Sequence, residues 1–278
     1  MKILITGANG QLGKELAKQY KRKKDIDLIL AGRLDLDITS VDQVNAFVKE
    51  NKPDVIINCA AHTAVDKCET ETEMAYKINT LGPKNLAVAA NKIGAEIVQV
   101  STDYVFDGSR DKLLTELDTV NPQTVYGKTK LEGELLVEKL NPKHYIVRTA
   151  WLYGDGNNFV KTMINLSKTN KTLKVVNDQK GTPTSTVDLA KVIIKLIEDK
   201  NYGTFHCTCK GECTWYDFAK EIFRLKGIDT KVLPCTTEEF PRPAKRPEFS
   251  VLRNYRLELT TGDITRTWQE AIKEYLDR

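Results

Sequence analysis

The sequence has few cysteines, no long apolar run and no excess of charge of one sign, and each shortage excludes a class of protein. Six cysteines scattered among 278 residues are too few for a disulfide framework. No apolar run approaches the roughly 20 residues that cross a bilayer. The 42 basic and 38 acidic residues are interspersed, without the basic stripe that binds nucleic acid. These features predict a reduced, cytoplasmic protein with neither a membrane nor a nucleic-acid partner.

Three of the cysteines, Cys207, Cys209 and Cys213, lie close together in the sequence. Zinc sites use paired C-x-x-C spacing or histidines at finger spacing, and this cluster has neither. We therefore predict no metal site.

Short β-branched segments alternate with longer amphipathic segments over the first 150 residues. The short segments predict strands over residues 2–5, 28–31, 55–60, 97–101 and 145–148. Apolar residues at three- and four-residue spacing predict helices over residues 11–20, 41–50, 74–91 and 128–140, and Thr39 or Ser40 suits the cap of the second. This alternation predicts an α/β fold with a Rossmann-type, doubly wound parallel sheet.

The pattern loosens after about residue 150 into segments punctuated by glycine and proline. Helices are predicted near residues 159–168, 187–199, 215–226 and 267–275. We expect residues 1–150 to form a cofactor-binding domain, rejoined by a segment near 183–209. Residues 151–278 would then form mainly a smaller C-terminal, substrate-binding lobe, with the active cleft between the two.

Glycines follow the first predicted strand at a spacing of three residues. Gly7, Gly10 and Gly13 lie where that strand turns into the first helix. Such glycines permit a tight turn, a close backbone approach to a ligand and close helix packing, while the helix N-terminus supplies unpaired N–H groups and a positive dipole. The turn predicts a pyrophosphate site for a dinucleotide; a glycine turn without a ligand is the alternative.

Tyr126 and Lys130 form a Y-x-x-x-K pair, which places a phenol and an ammonium on one face of a helix. The pKa of an unperturbed tyrosine is near ~10, and a fixed cation beside it favours the phenolate, so that proton exchange comes within range of neutral pH. Thr102 follows the fourth predicted strand, where its hydroxyl would reach a substrate oxygen. Together they predict acid–base catalysis, although a turn cap, a packed ring and a solvated amine are the structural alternatives.

These motifs resemble those of the dTDP-4-dehydrorhamnose reductase family, part of the extended short-chain dehydrogenases/reductases. The G-x-x-G-x-x-G spacing is the extended form, and the likeness is close over residues 60–66, 101–108, 148–154 and 242–247. Members that dehydrate or epimerise sugars often carry Asp-Glu after the catalytic threonine, whereas this chain has Asp103-Tyr104, which favours a single hydride transfer. The resemblance implies NAD(P)H-dependent reduction of the 4-keto group of a nucleotide-activated deoxysugar, the family reaction being dTDP-4-dehydro-L-rhamnose to dTDP-L-rhamnose, with Thr102, Tyr126 and Lys130 as the catalytic residues.

The resemblance also implies which residues bind each ligand. The cofactor site would consist of the glycine turn, the loop after the second strand, the segment after the third and two catalytic residues: Gly7, Gly10, Gln11, Leu12, Gly13, Arg33, Asp37, Ile38, Ala60, Ala61, His62, Tyr126 and Lys130. The deoxysugar pocket would consist of Val65, Thr102, Asp103, Tyr104, Tyr126 and Trp151. Arg33 lies where NAD-specific sites often carry an acid, so it would accept the 2′-phosphate of NADPH. A solvated surface arginine is the alternative, and NADPH and NADH both stay open.

Residues 241–247 hold three cations among three prolines, whose fixed φ angles stiffen the loop. A preorganised cationic loop suits a diphosphate, so Arg242 and Arg246 are predicted to hold the nucleotide-diphosphate end of the substrate. A solvated basic turn is the alternative.

Two other functions fit part of these features. One is a regulatory nucleotide-binding subunit like the accessory subunit of methionine adenosyltransferase, a relative of this family; the presence of Thr102, Tyr126 and Lys130 disfavours it. The other is a reductase or epimerase of a different nucleotide sugar, since these motifs do not fix the base, the sugar or the stereochemistry. A nucleotide-sugar substrate is expected in either enzyme, and a homodimer is permitted.

Overall fold

The computed structural model describes residues 1–109 and 112–278, and a six-stranded sheet forms its centre. The strands in chain order are β1 Lys2–Thr6, β2 Asp27–Ala31, β3 Val55–Asn58, β4 Glu96–Thr102, β5 His144–Thr149, β6 Leu152–Tyr153, β7 Thr172–Val176, β8 Lys180–Gly181, β9 Thr184–Ser185, β10 Gly203–His206, β11 Cys213–Thr214 and β12 Lys231–Cys235. The central sheet has the order β2-β1-β3-β4-β5-β10, and its neighbouring strands are all parallel. The predicted Rossmann-type, doubly wound parallel sheet is confirmed.

Helices cover both faces of this sheet, as buried parallel strands require. The helices are α1 Gln11–Tyr20, α2 Val41–Asn51, α3 Val65–Cys68, α4 Thr72–Tyr76, α5 Gly82–Lys92, α6 Val125–Leu140, α7 Phe159–Ser167, α8 Thr186–Asp199, α9 Trp215–Lys226, α10 Tyr255–Leu259 and α11 Trp268–Leu276. α1 and α8 pack on one face, and α2, α5 and α6 pack on the other. Side chains of β1 alternate accordingly: Ile3 and Ile5 lie in the first cluster and Leu4 in the second.

A third cluster of buried side chains forms the C-terminal lobe. Val160 of α7, Phe218 of α9 and Ile272 of α11 belong to it, together with side chains of the parallel pair β7 and β12. Between β7 and α9 the chain returns to the main sheet, where β10 pairs with β5. In the described part of the chain, no helix combines the length and the apolar composition that a membrane crossing needs.

The single helix predicted over residues 74–91 is interrupted. α4 is followed by a π-helical turn, Lys77–Leu81, before α5 begins. Pro83 has no N–H, so the carbonyl of Asn79 loses its α-helical donor. Gly133 of α6 packs closely on that carbonyl: a Cβ on Gly133 would lie 2.2 Å from the Asn79 oxygen. The proline and the helix contact explain an irregularity that apolar spacing does not predict.

Polar caps define two helix starts near the site. α6 begins at Val125, three residues before its predicted start, because Thr124 accepts a hydrogen bond from the Gly127 N–H at 3.0 Å. Ser40, one of the two predicted caps, accepts from the Gln43 N–H at the start of α2. The earlier start of α6 places Tyr126 inside its first turn and Lys130 one turn later.

Arg148 of β5 and Glu134 of α6 form a buried, bidentate ion pair. The Arg148 Nε and Nη2 groups donate to the carboxylate at 3.1 and 2.7 Å, and the two side chains are only 8% and 3% exposed. The guanidinium also lies 5.4 Å from the centre of the Phe106 ring. This pair joins α6 to the sheet.

Arg148→Met should lower the free energy of unfolding by about 3–5 kcal/mol, because it leaves the Glu134 carboxylate buried without its partner. Arg253→Met is the matched control: Arg253 makes the same bidentate contact with Glu258, but at the surface. We expect a far smaller loss there. Urea denaturation of both variants measures the two free energies of unfolding. Equal losses would contradict the prediction that burial makes the Arg148–Glu134 pair harder to break than the surface pair.

Candidate active site

The carboxyl ends of the central strands open into a cavity of about 1330 Å³ between the sheet and the C-terminal lobe. Doubly wound sheets bind ligands at this edge. The predicted residues that line the cavity are Gly7, Gly10, Gln11, Leu12, Gly13, Arg33, Asp37, Ile38, Ala60, Ala61, Val65, Thr102, Asp103, Tyr104, Tyr126, Lys130, Trp151, Arg242 and Arg246. His62 is the only predicted residue outside this wall. One cavity thus brings together segments from across the chain.

The glycine turn has the geometry of a pyrophosphate cradle. Gly7 has a φ of +63°, and a Cβ there would lie 2.7 Å from the Ala60 nitrogen, so glycine alone fits. Gly10 caps α1 without a side-chain hydrogen bond, which leaves the first N–H groups of the helix without intrahelical acceptors at the cavity wall. Unpaired donors at the positive end of a helix bind phosphate, so these residues fit a dinucleotide.

Gln11 connects this turn to the C-terminal lobe. Its Oε1 accepts hydrogen bonds from the Gly154 N–H at 2.9 Å and from Asn158 Nδ2 at 3.0 Å. The amide oxygen is therefore occupied within the protein. What Gln11 offers a phosphate is its backbone N–H.

The loop after β2 contributes the cation Arg33 to the cavity wall. Asp35 accepts from the Gly32 N–H at 2.8 Å, and Asp37 accepts from the backbone and hydroxyl of Thr39 at 2.9 and 2.7 Å. The Thr39 hydrogen bonds, with a smaller contribution from Arg33, hold the pKa of Asp37 below its usual range. Both acids thus bind their own loop, while the Arg33 side chain is exposed.

Asn79, on the π-helical turn, fixes the segment that follows β3. It accepts from the His62 N–H at 2.8 Å, and its Nδ2 donates to the His62 carbonyl and to Thr129 Oγ1 at 3.2 and 3.3 Å. The His62 ring contacts Glu71 instead of the cavity. The His62 backbone is therefore held by Asn79, which joins this segment to α6.

Thr102 and Tyr126 meet at the centre of the cavity. Burial raises the pKa of Tyr126 above its usual range, nearby Asp103 and Tyr104 raise it further, and a hydrogen bond with Thr102 lowers it. The phenol is therefore protonated at neutral pH. This direction is opposite to the one predicted from the Y-x-x-x-K spacing, because removal of the phenolate from water outweighs the other influences.

Lys130 lies one turn beyond Tyr126 and is buried. Its Nζ donates to the Val100 carbonyl of β4 at 2.6 Å. Burial lowers the pKa of Lys130 to about 8, and the Glu134 carboxylate opposes that shift. Lys130 is therefore a cation at neutral pH that titrates in the mildly alkaline range.

The two predicted phosphate-binding arginines differ in their surroundings. Arg246 Nη1 donates to the Tyr104 hydroxyl at 3.0 Å, and its Nη2 pairs with Asp66 at 2.8 Å. Arg242 is exposed at the cavity wall, with its guanidinium 4.6 Å from the centre of the Phe240 ring. Arg246 thus joins the loop of residues 241–247 to Tyr104 and Asp66. Arg242 is exposed and lines the cavity.

Trp151 lines the cavity with an unusual backbone conformation. Its φ of +46° is unusual for a bulky residue, and such strain costs about 1–3 kcal/mol. The ring stacks on Trp215 with centres 3.5 Å apart and an angle of 9°. Gly181 permits this packing, because a Cβ there would lie 2.5 Å from the Trp151 ring.

The cavity includes residues that sequence reasoning missed. They come from α3, from α4 and its π turn, and from the C-terminal lobe: Asp66, Met74, Lys77, Phe159, Lys174, Gln179, Trp215 and Phe240. Their only signal was position, since several follow or begin predicted elements. Cys207, Cys209 and Cys213 are buried free thiols, and no group of three or more metal-ligating side chains occurs within residues 1–109 and 112–278.

Comparison with known proteins identifies the family. The family model described as RmlD substrate binding domain matches residues 1–278. A crystal structure of a dTDP-4-dehydrorhamnose reductase from Clostridium acetobutylicum ATCC 824 is 72% identical, covers 100% of this chain and 99% of that chain, and has a TM-score of 0.99. The chain belongs to the dTDP-4-dehydrorhamnose reductase family. The predicted enzyme class, an NAD(P)H-dependent oxidoreductase, is confirmed with it.

Two further relatives show the range of this family. The dTDP-4-dehydrorhamnose reductase of Bacillus anthracis str. Ames, solved in complex with NADP, is 43% identical, covers 99% of this chain and 98% of that chain, and has a TM-score of 0.96. The spore coat polysaccharide biosynthesis protein SpsK of Bacillus subtilis (strain 168) is 41% identical over 99% of this chain and 96% of that protein. The family thus includes a member that binds NADP.

Arg33→Ala should weaken NADPH binding by roughly 10- to 100-fold and NADH binding much less, because only NADPH carries the 2′-phosphate that a charge-assisted hydrogen bond would recognise. Arg22→Ala, which removes an exposed cation outside the cavity wall, is the control. Fluorescence titration with each cofactor measures the dissociation constants. Equal weakening of both cofactors would make Arg33 an ordinary surface residue.

Proposed function

We propose that this protein reduces the 4-keto group of dTDP-4-dehydro-L-rhamnose to give dTDP-L-rhamnose, with NADPH as the preferred reductant. The observation that carries the proposal is the single cavity in which Thr102, Tyr126 and Lys130 lie between a pyrophosphate cradle and a cationic loop. The family relatives named as dTDP-4-dehydrorhamnose reductases support the substrate. The exposed Arg33 supports NADPH over NADH.

The cavity suits two ligands that meet at the catalytic residues. The glycine turn and Arg33 lie at one end, where the cofactor would bind, and Trp151, Val65 and the loop carrying Arg242 surround the other. An aromatic surface suits the apolar face of a deoxyhexose, and an exposed guanidinium suits its diphosphate. Substrate and cofactor would thus approach each other beside Tyr126.

Three side chains of the cavity, Tyr126, Thr102 and Lys130, have separate roles in proton transfer to the substrate oxygen. Bound NADPH supplies the hydride. Tyr126 holds the proton for the substrate oxygen, since burial keeps its phenol protonated, and Thr102 positions that oxygen by a hydrogen bond. Lys130 supplies a fixed positive charge beneath the cavity, which favours the oxyanion as it forms.

The regulatory-subunit alternative is less well supported. A binding subunit needs the pyrophosphate cradle. It does not need the Tyr126 phenol, the Lys130 ammonium and the Thr102 hydroxyl in the same cavity. A reductase or epimerase of another nucleotide sugar is the second alternative, because the motifs do not fix the base, the sugar or the stereochemistry.

The decisive experiment follows NADPH oxidation with a panel of nucleotide-linked 4-keto-deoxysugars. We expect dTDP-4-dehydro-L-rhamnose to give the highest kcat/KM, with dTDP-L-rhamnose as the product identified by NMR. Higher kcat/KM with a different base or sugar would replace the proposed substrate, and no oxidation with any member would favour the regulatory role.

Tyr126→Phe should lower kcat by roughly 100-fold or more while the Kd for NADPH stays nearly the same, because it removes only the proton donor. Tyr145→Phe is a matched control: its hydroxyl, bonded to Glu96, lies in the core outside the cavity wall. Steady-state kinetics and cofactor titration of both variants test this. Near-normal turnover by the Tyr126 variant would remove that residue from the mechanism.

Arg242→Ala should raise KM for the sugar nucleotide by roughly 10-fold or more, because a charge-assisted contact to the diphosphate is lost. Lys245→Ala removes a cation from the same loop, but Lys245 does not line the cavity and should leave KM unchanged. The Kd for NADPH serves as a check on general damage. Similar KM values for the two variants would contradict the proposed contact between Arg242 and the substrate diphosphate.

A further inference from the structure

Asp103 is a buried acid that the proposed mechanism leaves without a task. It directly follows Thr102 in a short 3-10 turn, and it is 3% exposed. Its Oδ1 receives a hydrogen bond from the Thr102 hydroxyl at 2.9 Å, and its Oδ2 is buried with no hydrogen-bond partner. An ionised carboxylate with one unsatisfied buried oxygen is costly, so this environment favours the neutral acid.

The protonation state of Asp103 decides what Thr102 can donate. A hydroxyl has one proton and two acceptor positions. If Asp103 is ionised, the Thr102 proton is committed to Asp103, while Thr102 Oγ1 accepts from the Tyr104 N–H at 3.2 Å and lies beside the Tyr126 hydroxyl. In that state no Thr102 proton is available for a substrate oxygen.

The neutral acid reverses this arrangement. Protonated Asp103 donates to Thr102 Oγ1, which then accepts from Asp103 and from the Tyr104 N–H. The Thr102 proton is released toward the cavity, and Thr102 no longer has an acceptor position for the Tyr126 hydroxyl. Both protons that the reaction needs, one to position the keto oxygen and one to be transferred, then face the substrate.

We propose that Asp103 is a positioning residue that works as a carboxylic acid, donating a hydrogen bond to Thr102 so that the Thr102 hydroxyl can donate to the keto oxygen of the substrate. This inference rests on the proposed function for its substrate. It adds a role for Asp103 to the sugar contact predicted from the sequence.

The surroundings of Asp103 allow it to titrate near neutral pH. Burial raises the pKa of Asp103 to about 6, and the nearby Ser250 hydroxyl and the hydrogen bond from Thr102 limit the rise. The groups that face it are Tyr126 from α6 and Tyr104 from its own turn, with Arg246 of the C-terminal loop bound to the Tyr104 hydroxyl. Both phenols have raised pKa values, so Asp103 is the member of this group that changes charge between pH 5 and 7.

Two variants separate the hydrogen bond from the charge. Asp103→Asn supplies a permanent amide donor to Thr102, whereas Asp103→Leu has a similar volume and no donor. We expect Asp103→Asn to keep kcat within roughly 10-fold of the unmodified enzyme, and Asp103→Leu to lose roughly 100-fold or more, the effect of removing one preorganised donor. The Kd for NADPH and the Tm of each variant verify that the fold is intact.

The pH profile is the readout that a merely structural role would not change. In the unmodified enzyme kcat/KM should fall as the pH rises through about 6, because the protonated acid is the active form. A second fall near pH 8 comes from Lys130 and serves as an internal reference. Asp103→Asn should lack the first fall and keep the second. A first fall that persists in Asp103→Asn, or equal damage in Asn and Leu variants that are both folded, would overturn the proposal.

Infrared spectroscopy tests the same point without any substrate. The difference spectrum between the unmodified protein and Asp103→Asn should contain the C=O stretch of a neutral carboxylic acid, which disappears on titration through about pH 6. Titration in the ordinary aspartate range near ~4 would overturn the proposal. If no nucleotide sugar is reduced, the proposed function fails, while this titration still decides the state of Asp103.

Discussion

A row of buried hydrogen bonds links the carboxyl ends of β1, β3 and β4, and the geometry of the active site depends on it. Thr6 Oγ1 donates to Asn58 Oδ1 at 2.6 Å, and Asn58 Nδ2 donates to Gln99 Oε1 at 2.7 Å. All three residues are 1% exposed or less. Buried amides and hydroxyls are costly unless paired, so a slip of one residue in any of these strands would leave several of them unsatisfied. The row therefore fixes the register of β1, β3 and β4. The glycine turn follows β1, the segment around Ala60 follows β3, and Thr102 is the last residue of β4.

The C-terminal lobe is attached to this fixed edge by contacts that reach across the cavity. Gln11 bonds to the loop after β6, and Arg246 bonds to both Asp66 and Tyr104. Gly108 packs against Pro247 so closely that a Cβ there would lie 2.3 Å from the proline ring. Each contact joins a residue of the first 110 positions to one beyond residue 150, so the two sides of the cavity are held together by direct contacts.

Local patterns in the sequence predicted the sheet, most helices and the motifs at the strand ends. The strand segments and the glycine turn have local patterns in the sequence, and the structure contains both. The π turn at Asn79, the early start of α6 and the strained φ of Trp151 were not predictable in this way, because each depends on a contact with a distant residue or on a capping side chain. The same reason explains the wrong direction for the pKa of Tyr126: the spacing of Tyr126 and Lys130 contains no information about how much water reaches the phenol.

Burial has a similar effect on three groups around the cavity, although their charges differ. Removal from water favours the neutral form of every ionisable group, so it raises the pKa of Asp103 and Tyr126 and lowers that of Lys130. The two acids thus hold their protons to a higher pH than they would in water, while Glu134, held by Arg148, opposes the fall in the pKa of Lys130. A site that delivers a proton to an oxyanion needs protonated donors next to a cation, and burial of these side chains beside one ion pair supplies both. Loss of that ion pair would therefore affect the charge of Lys130 as well as the stability of the fold.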